Sequence, residues 1–393
     1  MVLGLLLARA GVETLVLEKH ADFLRDFRGD TVHPSTLRLM DELGLLDAFL
    51  RLPHQRLGRL SALFGDKPVH IGDFSGLPPR YAFIAFMPQW DFLDFLADEG
   101  ARLPRLKVVM NARVESLIEE GGRVAGVRGH GGEGAFEVRA DLTIGCDGRH
   151  STVRTAAGLP LEDIGAPIDV MWFRVGRQAT LFDDTLVRIT PGRMIVTIDR
   201  GDYWQCAFVI AKGGADALRA RGLEAFRAEV AQAAPVLAGR VGDIASWEDV
   251  KLLGVRVDRL TRWSRPGLLC IGDAAHAMSP VGGVGINLAV QDAVATANLL
   301  AARLAGDAGP AEIDAELDGV RRRRLFPTRF TQGLQVQVQN NVLVPALGGG
   351  SDAIAVPLPM RLLSAVPPLQ RVFARVVGMG VRPEHVHSPL AAH

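Results

Sequence analysis

Hydrophobic positions along this chain recur with two spacings, and the switches between them mark the elements. Met1-Val-Leu-Gly-Leu-Leu-Leu-Ala-Arg-Ala-Gly11 reads as a buried helix stopped by Gly11, and Leu15-Val-Leu-Glu18-Lys19 as a strand after it. Helices are predicted over 34–50, with Pro34 as the first helical residue, and over 91–102. Arg123 to Ala140 reads as a hairpin around His130-Gly-Gly-Glu-Gly. Ala140 to Arg154 is an apolar strand ending at Asp147-Gly148, followed by a helix start at Ser151. Met194–Asp199 and Tyr203–Ile210 are two strands joined at Arg200-Gly201. In the second, Trp204, Cys206, Phe208 and Ile210 share one face while Tyr203, Gln205 and Ala207 share the other. Gly267 to Ile271 is a buried strand that stops at Gly272-Asp273. The chain then loops through Pro280, Gly282, Gly283 and Gly285. It re-enters helical spacing at Ile286, Ala289, Val290, Ala293, Ala297 and Leu300, up to Gly306. Residues 327–393 are apolar and Pro-rich, with a helical run near 361–377.

Composition narrows the partners. Lys+Arg and Asp+Glu both number 44 in 393 residues, so neither nucleic acid nor an anionic membrane is indicated by overall charge. No apolar run approaches the ~18 residues of a spanning helix. Cys146, Cys206 and Cys270 lie in apolar strand patterns without a CxxC pair. They read as small buried residues of a reducing, cytoplasmic compartment. The histidines show no metal-ligand spacing, so no metal is expected. The run Arg321–Arg324 reads as a solvated helix face. The run near 361–377 reads as a packing or dimerising helix, which makes a homodimer one expectation; a membrane-surface role is the other reading.

The chemistry concentrates between Cys270 and Asp292. Strand, glycine loop and helix aim backbone N–H groups and the positive end of a helix dipole at whatever lies in the crevice. Asp273, at the strand's carboxyl end, is placed to accept from ligand hydroxyls. A ligand with a polyol and an anion-forming ring would suit it, and a flavin is such a ligand. Glycines in such a loop can also serve packing alone, and Asp147-Gly148 is also a common turn pair. The full string Gly272-Asp-Ala-Ala-His276 with Pro280, Gly283, Gly285 and Asn287 closely resembles the second FAD-binding motif of the flavoprotein aromatic hydroxylases, the p-hydroxybenzoate hydroxylase-like group. Asp147-Gly148 with Arg154 resembles the motif of that family that lies between FAD and the nicotinamide donor. Glu18 and Lys19 match the acidic strand end that binds ribose hydroxyls, and Arg28 and Gln89 fall where family members contact the cofactor.

The resemblance implies an α/β fold: a Rossmann-like FAD-binding domain (1–60, 85–165 and 260–315), an inserted antiparallel-sheet substrate domain (61–84 and 166–259) and a C-terminal helical region (316–393). The first strand and GxGxxG of such a domain have no counterpart here. The sequence reads as beginning inside the first helix, and extending the reading frame upstream is expected to reveal the glycine motif. The implied function is an FAD-dependent, NAD(P)H-driven monooxygenase that hydroxylates an aromatic or polyketide-like small molecule with molecular oxygen, through a flavin hydroperoxide. The helix starting near Ile286 would stabilise charge on the reduced ring, with the N–H groups of Ile286 and Asn287 facing its carbonyl. One face of the Tyr203–Ile210 strand would line the pocket and the other would pack on the 214–234 segment, or both would be ordinary core. Tyr203, Gln205 and His54 are candidates by chemistry only, so no catalytic acid or base is assigned. The alternatives are a flavin reductase or halogenase of the same fold, although the halogenase Trp-x-Trp-x-Ile-Pro signature is absent, or a non-catalytic remnant.

Overall fold

The computed structural model describes residues 1–24, 31–177, 186–348 and 356–391. Two parallel strand pairs form its centre. Thr14–Leu17 pairs with Leu106–Val109, and Thr143–Gly145 pairs with Leu268–Cys270, which Ser264–Arg265 extends antiparallel. Among the described residues the two pairs belong to separate sheets. The helix Val2–Arg9, buried from Val2 to Ala8, packs on the long helix Gly285–Ala305 and on Gln89–Ala101. It ends as the sequence predicts, with Gly11 at φ 89°. Arg113–Glu120, Arg123–Gly131 and Gly134–Arg139 make a small antiparallel sheet, with the expected hairpin turning at Gly132-Glu133.

The second layer is a seven-stranded sheet in the order Lys251–Leu253, Ile168–Gly176, Tyr203–Ala211, Arg193–Asp199, Val187–Thr190, Arg59–Phe64, Lys67–Asp73. It is antiparallel except where Val187–Thr190 meets Arg59–Phe64 in parallel. The segment after residue 58 therefore joins strands more than a hundred positions later. The two faces of Tyr203–Ala211 divide as their alternation predicts. Trp204, Cys206, Phe208 and Ile210 pack with Phe226 and Val230 of the covering helix, Phe226 lying edge-on to both Phe173 and Phe208. Ala207 and Val209 look the other way and join a cluster that includes Val281 of the glycine loop.

Three predicted helices are each two helices in the fold, for local reasons. The 34–50 segment breaks at Gly44 (φ 74°) into Pro34–Glu42 and Leu46–Phe49. The 214–234 segment breaks at Gly222 (φ 90°) into Ala215–Ala220 and Leu223–Ala233. The 361–377 run breaks before Pro367, whose ring holds Val366 in an extended conformation, giving Leu358–Ala365 and Pro367–Met379. The helix Pro310–Val338 continues through Pro327 and across the expected 315/316 boundary. Val281–Ala305 is long and apolar enough to cross a membrane, contrary to the reading from apolar runs, but 67% of its apolar window is buried inside the protein. It is the core helix, threaded between the Val2–Arg9 helix and Pro310–Val338.

Candidate active site

Both signature loops leave the carboxyl ends of adjacent parallel strands. Gly145 lies opposite Cys270, and Ile271 N–H donates to Gly145 O at 3.0 Å, so the Asp147 and Asp273 loops start side by side. Open α/β sheets hold ligands at such a point. Arg154 ties the loops together: almost fully buried, it donates to Ala274 O at 3.2 Å and to Arg149 O at 2.8 Å. Asp147 is exposed. Its carboxylate accepts from Ser151 Oγ and from Val153 N–H, capping the helix Thr152–Ala156, while Gly148 turns the chain at φ 83°. Cys146 beside it is exposed, contrary to its apolar setting in sequence, because the strand ends one residue earlier; Cys206 and Cys270 are buried.

The Gly272–Ala274 turn holds Asp273 half-buried at its mouth. Gly272 has φ 58°, and a Cβ there would lie 3.0 Å from that of Ala289, so glycine allows the turn to sit against the long helix. Past Pro280, Gly283 has φ 62°, and a Cβ on it would lie 2.3 Å from Thr31 Oγ1, which instead donates to Gly283 O at 2.9 Å. The long helix begins at Gly285 without a side-chain cap, and Leu288 N–H to Val284 O is the first backbone bond of its ladder. The N–H groups of Gly285, Ile286 and Asn287 precede that ladder, at the positive end of a 21-residue helix. This end has the donor chemistry that an electron-rich ring or an anion requires, and so fits a flavin.

Asn287 itself is a clamp. Its Oδ1 accepts from His33 N–H at 2.9 Å and Thr36 Oγ1 at 2.7 Å, and its Nδ2 donates to Thr31 O at 3.0 Å and Gly283 O at 3.2 Å. With the amide fully used, Asn287 offers a ligand its backbone alone. Glu18 stands at the carboxyl end of the other parallel pair, its Oε1 accepting from His20 N–H at 3.0 Å, and Lys19 beside it is exposed. Burial lowers the pKa of the Met1 amino group while Cys146 and Glu18 oppose it, so Met1 lies within electrostatic reach of both strand ends. Gln89 is half-buried as the first residue of its helix. Arg28 lies outside the described residues.

Residues without an assigned role in the sequence reading hold this loop in place. Asp292, wholly buried on the long helix, accepts from Gly272 N–H at 3.1 Å, His276 Nε2 at 2.5 Å and Arg324 Nε at 2.9 Å. Arg324 is therefore no solvated helix residue; it is 1% exposed and also faces Glu384 at 3.6 Å. Burial pushes the Asp292 carboxyl up, but His276 and Arg324 outweigh it and hold the pKa below the ordinary 3.8. One signal was present in sequence: Asp292 is the single acid of its helix and stands in the apolar stretch 288–294, interrupted otherwise only by Gln291, a position tolerated only with buried partners. His33, wholly buried with Nδ1 on Val377 O at 3.1 Å, is pushed down to about 4 by burial.

The family profile described as FAD binding domain matches residues 1–331. The chain belongs to the FAD-dependent monooxygenases. It is 33% identical to 6-methylpretetramide 4-monooxygenase of Streptomyces rimosus over 380 residues, which is 96% of this chain and 89% of that relative. It is 30% identical to anhydrotetracycline monooxygenase of Streptomyces rimosus over 334 residues, spanning 79% of this chain and 63% of that one. Among solved structures, PqsL of Pseudomonas aeruginosa in complex with 2-aminobenzoylacetate superposes with a TM-score of 0.74 at 20% identity, covering 88% of this chain and 95% of that one. CabE, an aromatic hydroxylase from angucycline biosynthesis, superposes with a TM-score of 0.72 at 24% identity, covering 98% and 74%. The fold is that of this family, as its sequence resemblance implied.

Replacing Asp292 with Asn leaves the Arg324 guanidinium buried beside a neutral group. It should lower unfolding stability by about 3 kcal/mol, read from the urea midpoint. The His33 ring is neutral in the fold and gains a proton more readily when unfolded, so its contribution is whole above pH 6.5 and lost as the pH falls toward about 4. His33→Gln should flatten the fall of the urea midpoint across that window. Superimposable pH profiles would show that His33 does not titrate on unfolding.

Proposed function

We propose that this monooxygenase hydroxylates an aromatic or polyketide-like small molecule, using molecular oxygen and NAD(P)H, in the cytoplasm. The observation that carries the reading is the uncapped start of the Gly285–Ala305 helix, held open beside Asp273 at the end of a parallel strand. Asp273 would bind the ribityl hydroxyls, and the N–H groups of Ile286 and Asn287 would face the ring carbonyl. Pro280, Gly283 and Gly285 would shape the loop against the ring. Glu18, Lys19, Arg28 and Gln89 would serve the nucleotide end, and Asp147-Gly148 would lie between FAD and the donor. When bound, FAD supplies the redox chemistry, accepting two electrons and activating oxygen. The chain's own contribution is electrostatic and steric: the helix dipole favours negative charge at the loop, and packing excludes water.

The three-part division follows from the same reading, with 1–60, 85–165 and 260–315 around the cofactor, 61–84 and 166–259 over the substrate, and 316–393 as a C-terminal brace. The face of the seven-stranded sheet turned from the Phe226 helix carries Trp172, Arg174, Tyr203 and Gln205, with Arg174 directly opposite Gln205. The Arg174 guanidinium lies 5.0 Å from the Tyr203 ring centroid, and Arg200 Nε donates to Gln205 Oε1 at 3.1 Å. A guanidinium over the Tyr203 ring and a second on the Gln205 amide suit a phenolic, electron-rich substrate. The relatives named for tetracycline-type substrates are in keeping with that chemistry.

The decisive measurement is NAD(P)H oxidation against a panel of phenolic and polycyclic aromatic compounds, with product analysis. Stimulation by one class together with its hydroxylated product is expected. Oxidation that no compound stimulates and that leaves every compound unaltered would identify a reductase, and a protein without flavin would identify a remnant. Asp273→Ala should weaken FAD binding by roughly 10- to 100-fold, the worth of a charge-assisted hydrogen bond, as read by flavin fluorescence titration.

A further inference from the structure

The helices Leu358–Ala365 and Pro367–Met379 both rest on the strand Lys67–Asp73, and the second also covers the turn at Phe74. Their inner side is tight: Ala374, Gly378 and Met379 are buried, and a Cβ on Gly378 would lie 2.7 Å from the Phe74 ring. Their outer side is open and apolar. Leu358 is 64% exposed, Leu362 54%, Leu369 45% and Val372 60%. Large aliphatic side chains clustered at such exposure mark a surface that meets something else.

The charges on this side have one sign. Arg361, Arg371 and Arg375 are exposed among the apolar residues, and no Asp or Glu occurs from 356 to 383. The acid acting on Arg371 is Asp73, which belongs to the strand beneath. Glu384, next in sequence, is buried against Arg323 and Arg324. A second copy docked about a two-fold axis would set this face on itself and bring arginine toward arginine with no acid of the face between them. The helices have 8 and 13 residues and are separated at Pro367, too short to span the roughly 30 Å hydrocarbon core. Apolar side chains interleaved with arginines on short helices are the composition of an element lying in the plane of a membrane surface.

We infer that the outer face of Leu358–Ala365 and Pro367–Met379 docks on an anionic lipid bilayer, with Leu358, Leu362, Leu369 and Val372 in the headgroup boundary and Arg361, Arg371 and Arg375 on lipid phosphates.

Co-sedimentation with vesicles tests this, comparing phosphatidylcholine alone with an equimolar mixture of phosphatidylcholine and phosphatidylglycerol. The protein should pellet with the mixed vesicles and remain in solution with the neutral ones, and added salt should weaken binding. Leu362→Glu combined with Val372→Glu should abolish pelleting while flavin content and melting temperature stay unchanged. Arg361→Gln combined with Arg371→Gln, which removes charge without adding it to the apolar face, should lower partitioning by roughly 10-fold or more, each arginine near an anionic surface being worth about a factor of five. Failure to bind the mixed vesicles, or equal binding to both kinds, overturns the inference. So does a dimer in sedimentation velocity that Val372→Glu dissolves, which would make a second copy the occupant.

Discussion

The carboxylate of Asp292 is buried at the centre of the long core helix, where an unpaired charge would be prohibitively costly. Its two oxygens are met by a backbone N–H of the Gly272 turn, the His276 ring and the Arg324 guanidinium, which come from two other elements of the chain. Satisfying this one group fixes the strand-to-turn exit at Gly272, the path of the loop beyond it and the position of the Pro310–Val338 helix. Through Arg324 it also reaches Glu384 and the C-terminal tail. The loop that would face the flavin is therefore set from behind by a charge network that no ligand need touch.

A second clamp works from the front. Asn287 spends its whole amide on Thr31, His33, Thr36 and Gly283, so the glycine loop is stitched to the segment before the Pro34–Glu42 helix. His33 passes the connection on to Val377 in the C-terminal helix. Between the two clamps, the first turn of the Gly285–Ala305 helix keeps its amides clear of side-chain caps. Orienting donors before a ligand arrives is what makes such a site electrostatically effective, because nothing has to reorganise when charge develops.

The sheet above the site shows the same division of labour in simpler form. Strand alternation gives Tyr203–Ala211 one face for the Phe226 helix and another turned toward the glycine loop. The first face is aromatic and aliphatic and makes a dense core. The second mixes Gln205 and Arg174 with tryptophan and tyrosine, a composition suited to a ligand as well as to packing.

Periodicity alone was enough to read the strand at Leu268–Cys270, the helix after it, the first helix with its Gly11 stop and the two-faced strand at 203–211. Each depends on residues only a few positions apart, which local sterics and burial fix. The motif residues Asp147, Asp273 and Asn287 were legible for the same reason, each standing at the end of such an element. Tertiary structure decided what these residues touch. Arg324 looked solvated within a run of arginines until the fold placed it 2.9 Å from Asp292, and the partners of the Asn287 amide, at Thr31, His33, Thr36 and Gly283, could not be read from its place in the motif. Cys146 looked buried until its strand ended early. Pairings across 32 or 254 positions leave no mark on local spacing, because they are selected by the desolvation cost of buried polar groups in the folded chain.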